Sequence, residues 1–154
     1  MKSEERIRFE DIHEGDEIPT LRVKMDKETY LNYSKMVNEI NPLHFDEDYA
    51  KSLGFRTIVV AGVYTYSFLP KMLTDWLKNP ECVKNIEIRY ISPIYIEDEI
   101  VNKGVVKRKY LQNGEKIVEC EVWVENQEGE KVTEGKARII IRLGLKGSMK
   151  HSTK

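Results

Sequence analysis

"VYTYSFLPKMLTDWLK", residues 63–78, places Tyr64, Phe68, Leu69, Met72, Leu73 and Trp76 around almost the whole circumference of a helix. A helix that merely docks keeps a broad polar face, whereas one that is apolar nearly all round needs cover on most sides. Pro70 predicts a kink within it. The cover comes from the residues that follow. From Val83 the apolar pattern switches to period two: Val118, Cys120, Val122 and Val124 alternate with Glu119, Glu121, Trp123 and Glu125, and Ala137, Ile139 and Ile141 repeat the alternation. Asn113-Gly114 and Glu128-Gly129 supply hairpin turns between strand-like runs, giving an antiparallel meander of about four long strands. With a short β segment near the N-terminus and helices before the meander, the class is α+β. The sheet is expected to curl around a long central helix from Ala61 to Lys78.

Length and composition limit what such a fold does. With 154 residues the chain has the usual size of one domain, expected over 1–145, and the tail "KGSMKHSTK" reads as disordered over 146–154. Its 25 basic and 26 acidic residues leave a net charge of −1, which provides no long-range field to draw in nucleic acid or anionic lipid. Neither partner is expected. Cys82 and Cys120 form no Cys-x-x-Cys pair and have no clustered histidines, so neither a metal site nor a disulfide framework is expected. Cys120 falls on the apolar face of its strand, nothing near Cys82 activates a thiol, and His13 in "DIHEGDEI" takes no role. The first residues lack the apolar core of a signal peptide, and no window approaches the ~18 apolar residues of a membrane span. A cytoplasmic protein is expected.

Upstream of the central helix, Asp26 is a good N-cap for "KETYLNYSKMVNEI", whose Tyr30, Tyr33 or Ser34, Val37 and Ile40 recur at helical spacing. The helix is predicted to end near Ile40, because Pro42 disfavours helical backbone at Asn41. Asp46 caps a second short helix, "EDYAKSL", which Gly54 closes. Between the two lies "NEINPLHF", with Glu39 five residues before His44. On spacing alone the pair fits either an acid and a base folded toward one another or a helix end with a capping imidazole. The aromatic run Tyr64, Tyr66 and Phe68 reads as core more readily than as a ligand pocket.

"NEINPLHFDEDYAKSLGF" followed by "IVVAGVYTYS" resembles the MaoC-like hydratases and dehydratases, the (R)-specific enoyl-CoA hydratase family of the hotdog fold. Their signature runs Asp-x-Asn-Pro-x-His, then an Ala-x-x-x-Gly-Phe-like segment, then a short apolar strand entering a glycine at the start of the central helix. "RYISPIYIEDEI" is similar to the family's strand and Pro-x-x-x-x-Asp turn, so the resemblance spans most of the chain. It implies interconversion of trans-2-enoyl and (R)-3-hydroxyacyl thioesters carried on coenzyme A or acyl carrier protein, without a cofactor. Glu39 and His44 become the candidate catalytic pair, with Asn41 and Pro42 shaping the turn between them. Such chemistry needs a base to take a proton from water and an acid to deliver one to the α-carbon. Unpaired N–H groups at the start of a helix, here those of Gly62 and Val63, suit a thioester oxygen that gains negative charge.

Three departures from the family stand in the sequence. Glu39 replaces the aspartate, and its extra methylene moves the carboxylate by about 1.5 Å. Asn38 and Ala61 stand where the family often carries glycine and histidine. Two further functions stay open: a non-catalytic acyl-binding subunit that serves a paralogous partner, and a hotdog acyl-CoA thioesterase. The resemblance also implies a homodimer or a higher oligomer, since exposed sheet edges pair across a two-fold axis.

Overall fold

The computed structural model describes residues 5–142, so the tail expected over 146–154 lies outside the described residues. A five-stranded sheet runs β1 (Glu17–Lys24), β3 (Glu99–Gln112), β4 (Glu115–Glu125), β5 (Lys131–Ile141), β2 (Val83–Tyr90), antiparallel at every step. The β3–β4 turn is the two-residue loop Asn113-Gly114, whose positive φ values of 53° and 79° suit a type I′ hairpin. Pro19 lies where the β1–β3 register shifts, on an edge strand that tolerates a residue without an N–H.

Apart from a 3-10 turn at Phe9–Asp11 ahead of β1, the helical part lies between β1 and β2 in the chain: α1 (Lys27–Met36), a second 3-10 turn (Pro42–His44), α2 (Glu47–Ser52), α3 (Gly62–Tyr66) and α4 (Phe68–Leu77). The central helix is thus α3 plus α4, interrupted at Ser67. Pro70 explains the interruption, because it has no N–H for the Tyr66 carbonyl and its ring crowds that carbonyl. The interruption therefore falls in the turn before the proline.

Leu69, Met72, Leu73 and Leu77 of α4 are buried against Ile100 and Val106 of β3, Val118, Cys120 and Val122 of β4, and Ala137 and Ile139 of β5. These strand residues fall on one face, as the alternating pattern requires. The wrapping is less complete than the sequence suggests. Lys71 and Asp75, one turn apart, pair at 2.9 Å with both side chains more than half exposed, and Val63 is also exposed. The sheet cups the helix and leaves that stripe open in the single chain.

The first helix is shorter than predicted. Asp26 caps it as expected, accepting from the Thr29 N–H at 2.9 Å, but α1 stops at Met36. Asn38 takes the left-handed conformation, with φ 54°; its N–H bonds the Lys35 carbonyl at 3.2 Å, and the Glu39 N–H bonds the Ser34 carbonyl at 3.0 Å. This is a Schellman closure, with asparagine in the position usually held by glycine. Termination thus comes before Pro42 can act, and Glu39 lies beyond the helix. The second short helix follows its signals: Asp46 accepts from the Tyr49 N–H at 3.1 Å, and Gly54 has φ 93°.

Downstream, the Pro93–Asp98 turn closes on a buried carboxylate. Asp98 accepts from the Tyr95 N–H at 2.8 Å, the Arg56 guanidinium at 3.0 Å and the Gln127 amide at 3.1 Å. It holds the entry to β3 against the segment that precedes the central helix.

Candidate active site

Each bond in the Asn-Pro segment follows from a residue the sequence supplies. The Asn41 side chain accepts from the Leu43 N–H at 3.1 Å, and Pro42 opens the 3-10 turn where a missing N–H costs nothing. The His44 N–H closes that turn on the Asn41 carbonyl at 3.0 Å. One oxygen of Glu39 accepts from the Asn41 N–H, also at 3.0 Å. Glu39 is thus tied to the same turn that carries His44, and both side chains are half-buried.

The imidazole has a defined orientation. His44 Nδ1 lies 2.8 Å from the Val59 carbonyl oxygen, which can only accept. In the neutral ring Nδ1 therefore carries the proton, and Nε2 presents a lone pair. Val59 belongs to the short extended segment that leads into the central helix, and its own N–H bonds the Leu43 carbonyl at 3.3 Å. Ring and backbone of the His44 turn are both pinned to one strand-like segment.

That segment delivers Ala61, Gly62 and Val63. The Ala61 N–H is taken by the Tyr30 hydroxyl at 3.0 Å, while the Tyr64 and Thr65 N–H groups reach back to the Ala61 carbonyl. The amides of Gly62 and Val63 have no intrahelical partner, as expected of the first turn. A methyl group on Gly62 would lie 2.7 Å from Cζ of Tyr90 and 2.8 Å from its hydroxyl. The absence of a side chain there lets the Tyr90 ring approach the helix start.

Reading Tyr30 only as a member of a buried helix face overlooks its hydroxyl. Tyr30 is fully buried; besides accepting from Ala61, it donates to the His44 carbonyl oxygen at 2.9 Å. Burial above all, with the Glu39 charge a lesser cause, pushes the phenol above its ordinary range, so it stays a neutral donor. Tyr90 and Val59 were equally silent in the sequence, one because strand pattern says nothing of long-range contact, the other because it acts through its backbone.

The remaining groups behave structurally. Burial pushes the Cys82 thiol up to about 11 and the Cys120 thiol up to about 12, which keeps both protonated. His13 is exposed beside Asp16. A charged groove lies elsewhere, along β2, β5, β4 and β3, where Lys107, Glu121, Lys136 and Arg138 line it. None of the candidate site residues borders it. Among the described residues, no helix is long and apolar enough to cross a membrane.

A family model described as the MaoC like domain matches residues 10–130, which takes in the His44 turn, the central helix and the Asp98 turn. The chain belongs to the MaoC-like domain family. This MaoC-like chain is 32% identical over 87 residues to the mitochondrial 3-hydroxyacyl-[acyl-carrier-protein] dehydratase FERN of Solanum lycopersicum, covering 53% of this chain and 52% of that protein. It is 28% identical over 93 residues to the (R)-specific enoyl-CoA hydratase of Rhodospirillum rubrum, covering 60% and 64%. It thus spans between about half and two thirds of the length of these two relatives. The fold matches that of the (R)-hydratase from A. caviae involved in PHA biosynthesis, with a TM-score of 0.74 at 18% identity, over 85% of this MaoC-like chain and 98% of the other. The architecture is the hotdog fold expected from the sequence.

Proposed function

We propose that this chain is a hydratase or dehydratase interconverting trans-2-enoyl and (R)-3-hydroxyacyl thioesters of coenzyme A or acyl carrier protein. The observation that carries the reading is the bond from His44 Nδ1 to the Val59 carbonyl, which leaves Nε2 free to act as a base. In the hydration direction, Nε2 takes a proton from water as the water oxygen bonds to C3 of the enoyl chain. Negative charge moves to the thioester oxygen, which the Gly62 and Val63 amides hold, and the imidazolium returns its proton to C2. Glu39 holds the second hydrogen of the same water and stabilises the imidazolium. Asn41 and Pro42 act by fixing the turn. The names of the tomato and Rhodospirillum relatives support the substrate class and point to one carrier each.

A second reading is favoured by Glu39 itself. Its carboxylate bonds back to the Asn41 N–H at 3.0 Å, and it is one methylene longer than the family's aspartate. A subunit that binds acyl chains for a paralogous partner fits that departure. Comparison of wild type with Glu39→Asp on crotonyl-CoA separates the two. An active wild type whose rate is kept or raised by the substitution supports the hydratase. A silent wild type that gains turnover supports the degenerate subunit, and release of free thiol supports a thioesterase.

The assembly belongs to the same reading. β1 and β2 are the two edges of the sheet, and a second copy or a paralogous subunit pairs along one of them. Sedimentation at micromolar concentration is expected to give a dimer or larger species; a monomer contradicts this.

A further inference from the structure

Three places outside the proton-transfer pair carry unexplained polar groups: the Asn102 side-chain oxygen, buried without a partner; the Tyr90 hydroxyl over Gly62; and the Tyr30 hydroxyl. The last is placed by two hydrogen bonds and complete burial, and it adds, beside the bonds to Val59, a direct tie between the His44 turn and the start of the central helix. We propose that Tyr30 is a positioning residue: its hydroxyl, bonded at once to the His44 carbonyl and the Ala61 amide, fixes the base-bearing turn against the start of the central helix. The inference rests on the hydratase reading for its kinetic part only.

The geometry gives the tether its direction. Tyr30 projects from α1, and its ring is hemmed in by Tyr64 of α3 at 5.1 Å and Tyr33 of α1 at 6.3 Å between centroids. With the ring held, the hydroxyl has one place to be. It donates its single hydrogen to the His44 carbonyl and uses a lone pair for the Ala61 N–H, so it meets opposite requirements on two elements. Val59 orients the imidazole; Tyr30 sets how far the turn stands from the Gly62 and Val63 amides. That separation is what a substrate spanning base and thioester donors reads, and a shift of ~1 Å in such a distance can cost about a hundredfold in rate.

Tyr30→Phe removes the hydroxyl and keeps the ring. It is expected to lower kcat on crotonyl-CoA by about tenfold to a hundredfold while KM stays within about threefold, because the substrate still binds but the reacting groups are misplaced. The His44 ring N–H, followed by NMR, is expected to be a sharp, slowly exchanging signal in wild type and to shift or broaden in Tyr30→Phe. Ile139→Val, a small core deletion far in sequence from the turn, controls for general loosening and is expected to alter neither readout. Wild-type kcat in Tyr30→Phe overturns the proposal, as does a lowered kcat with an unchanged ring signal. If wild type does not hydrate crotonyl-CoA, the hydratase reading fails, and the ring signal alone decides the tether. If Tyr30→Phe does not fold, hydrogen exchange on wild type decides it: an Ala61 amide protected well beyond those of Gly62 and Val63 supports the tether, and equal exchange of all three overturns it.

Discussion

His44→Ala is expected to lower the hydration rate by about a hundredfold to ten-thousandfold, the range for removing a positioned general base. The substitution removes Nε2 and also the ring's bond to the Val59 carbonyl, but leaves the backbone bonds of the turn in place, from the His44 N–H to Asn41 and from Tyr30 to the His44 carbonyl. The ring is only half-buried, so the fold should survive and the loss should appear in kcat. Glu39→Gln keeps a carbonyl oxygen able to accept from the Asn41 N–H and removes the charge, and is expected to cost about a hundredfold or more. The double variant should be little worse than His44→Ala alone, because groups that act on one proton path are not additive. Steady-state rates on crotonyl-CoA, with circular dichroism to verify folding, measure all three. Multiplicative losses would mean that the two side chains serve separate steps.

The largest effect on stability is expected far from this chemistry. Gly135 lies opposite Ile88 in the β2–β5 ladder, and a methyl group there would meet the Glu87 carbonyl oxygen at 2.1 Å and the Ile88 side chain at 2.9 Å. The first obstacle is backbone, which cannot rotate away as a side-chain tip can. Gly135→Ala therefore has to push β2 off β5, and is expected to destabilise by about 3 kcal/mol or more, at or beyond the upper end for overpacking. Gly62→Ala is the instructive contrast. Its obstacle is the tip of the half-exposed Tyr90 side chain, which can swing out, so it should cost far less. Chemical denaturation of the two variants side by side tests the distinction. Equal midpoints would contradict it.

Local signals carried most of the fold. Alternation in β4 and β5, the Asn113-Gly114 turn and the caps at Asp26 and Asp46 were all legible, because each depends on residues a few positions apart. The end of α1 was misplaced since asparagine can close a helix in glycine's usual position, and Pro42 offered a more conspicuous stop. The open stripe on the central helix does not show in the apolar pattern, because Lys71 and Asp75 are only two charged positions on a largely apolar helix. At the site, the Asn-Pro-x-His turn could be seen in the sequence. The bonds of Val59 and Tyr30 to His44 join residues 15 and 14 positions apart, and no local pattern announces them.

The most direct test of the central claim is the reaction of purified wild-type protein with crotonyl-CoA, followed by loss of the enoyl absorbance and chiral analysis of the product. The account predicts (R)-3-hydroxybutyryl-CoA with its thioester intact. Unchanged crotonyl-CoA from folded wild type, or free coenzyme A in place of the hydroxyacyl thioester, would contradict it.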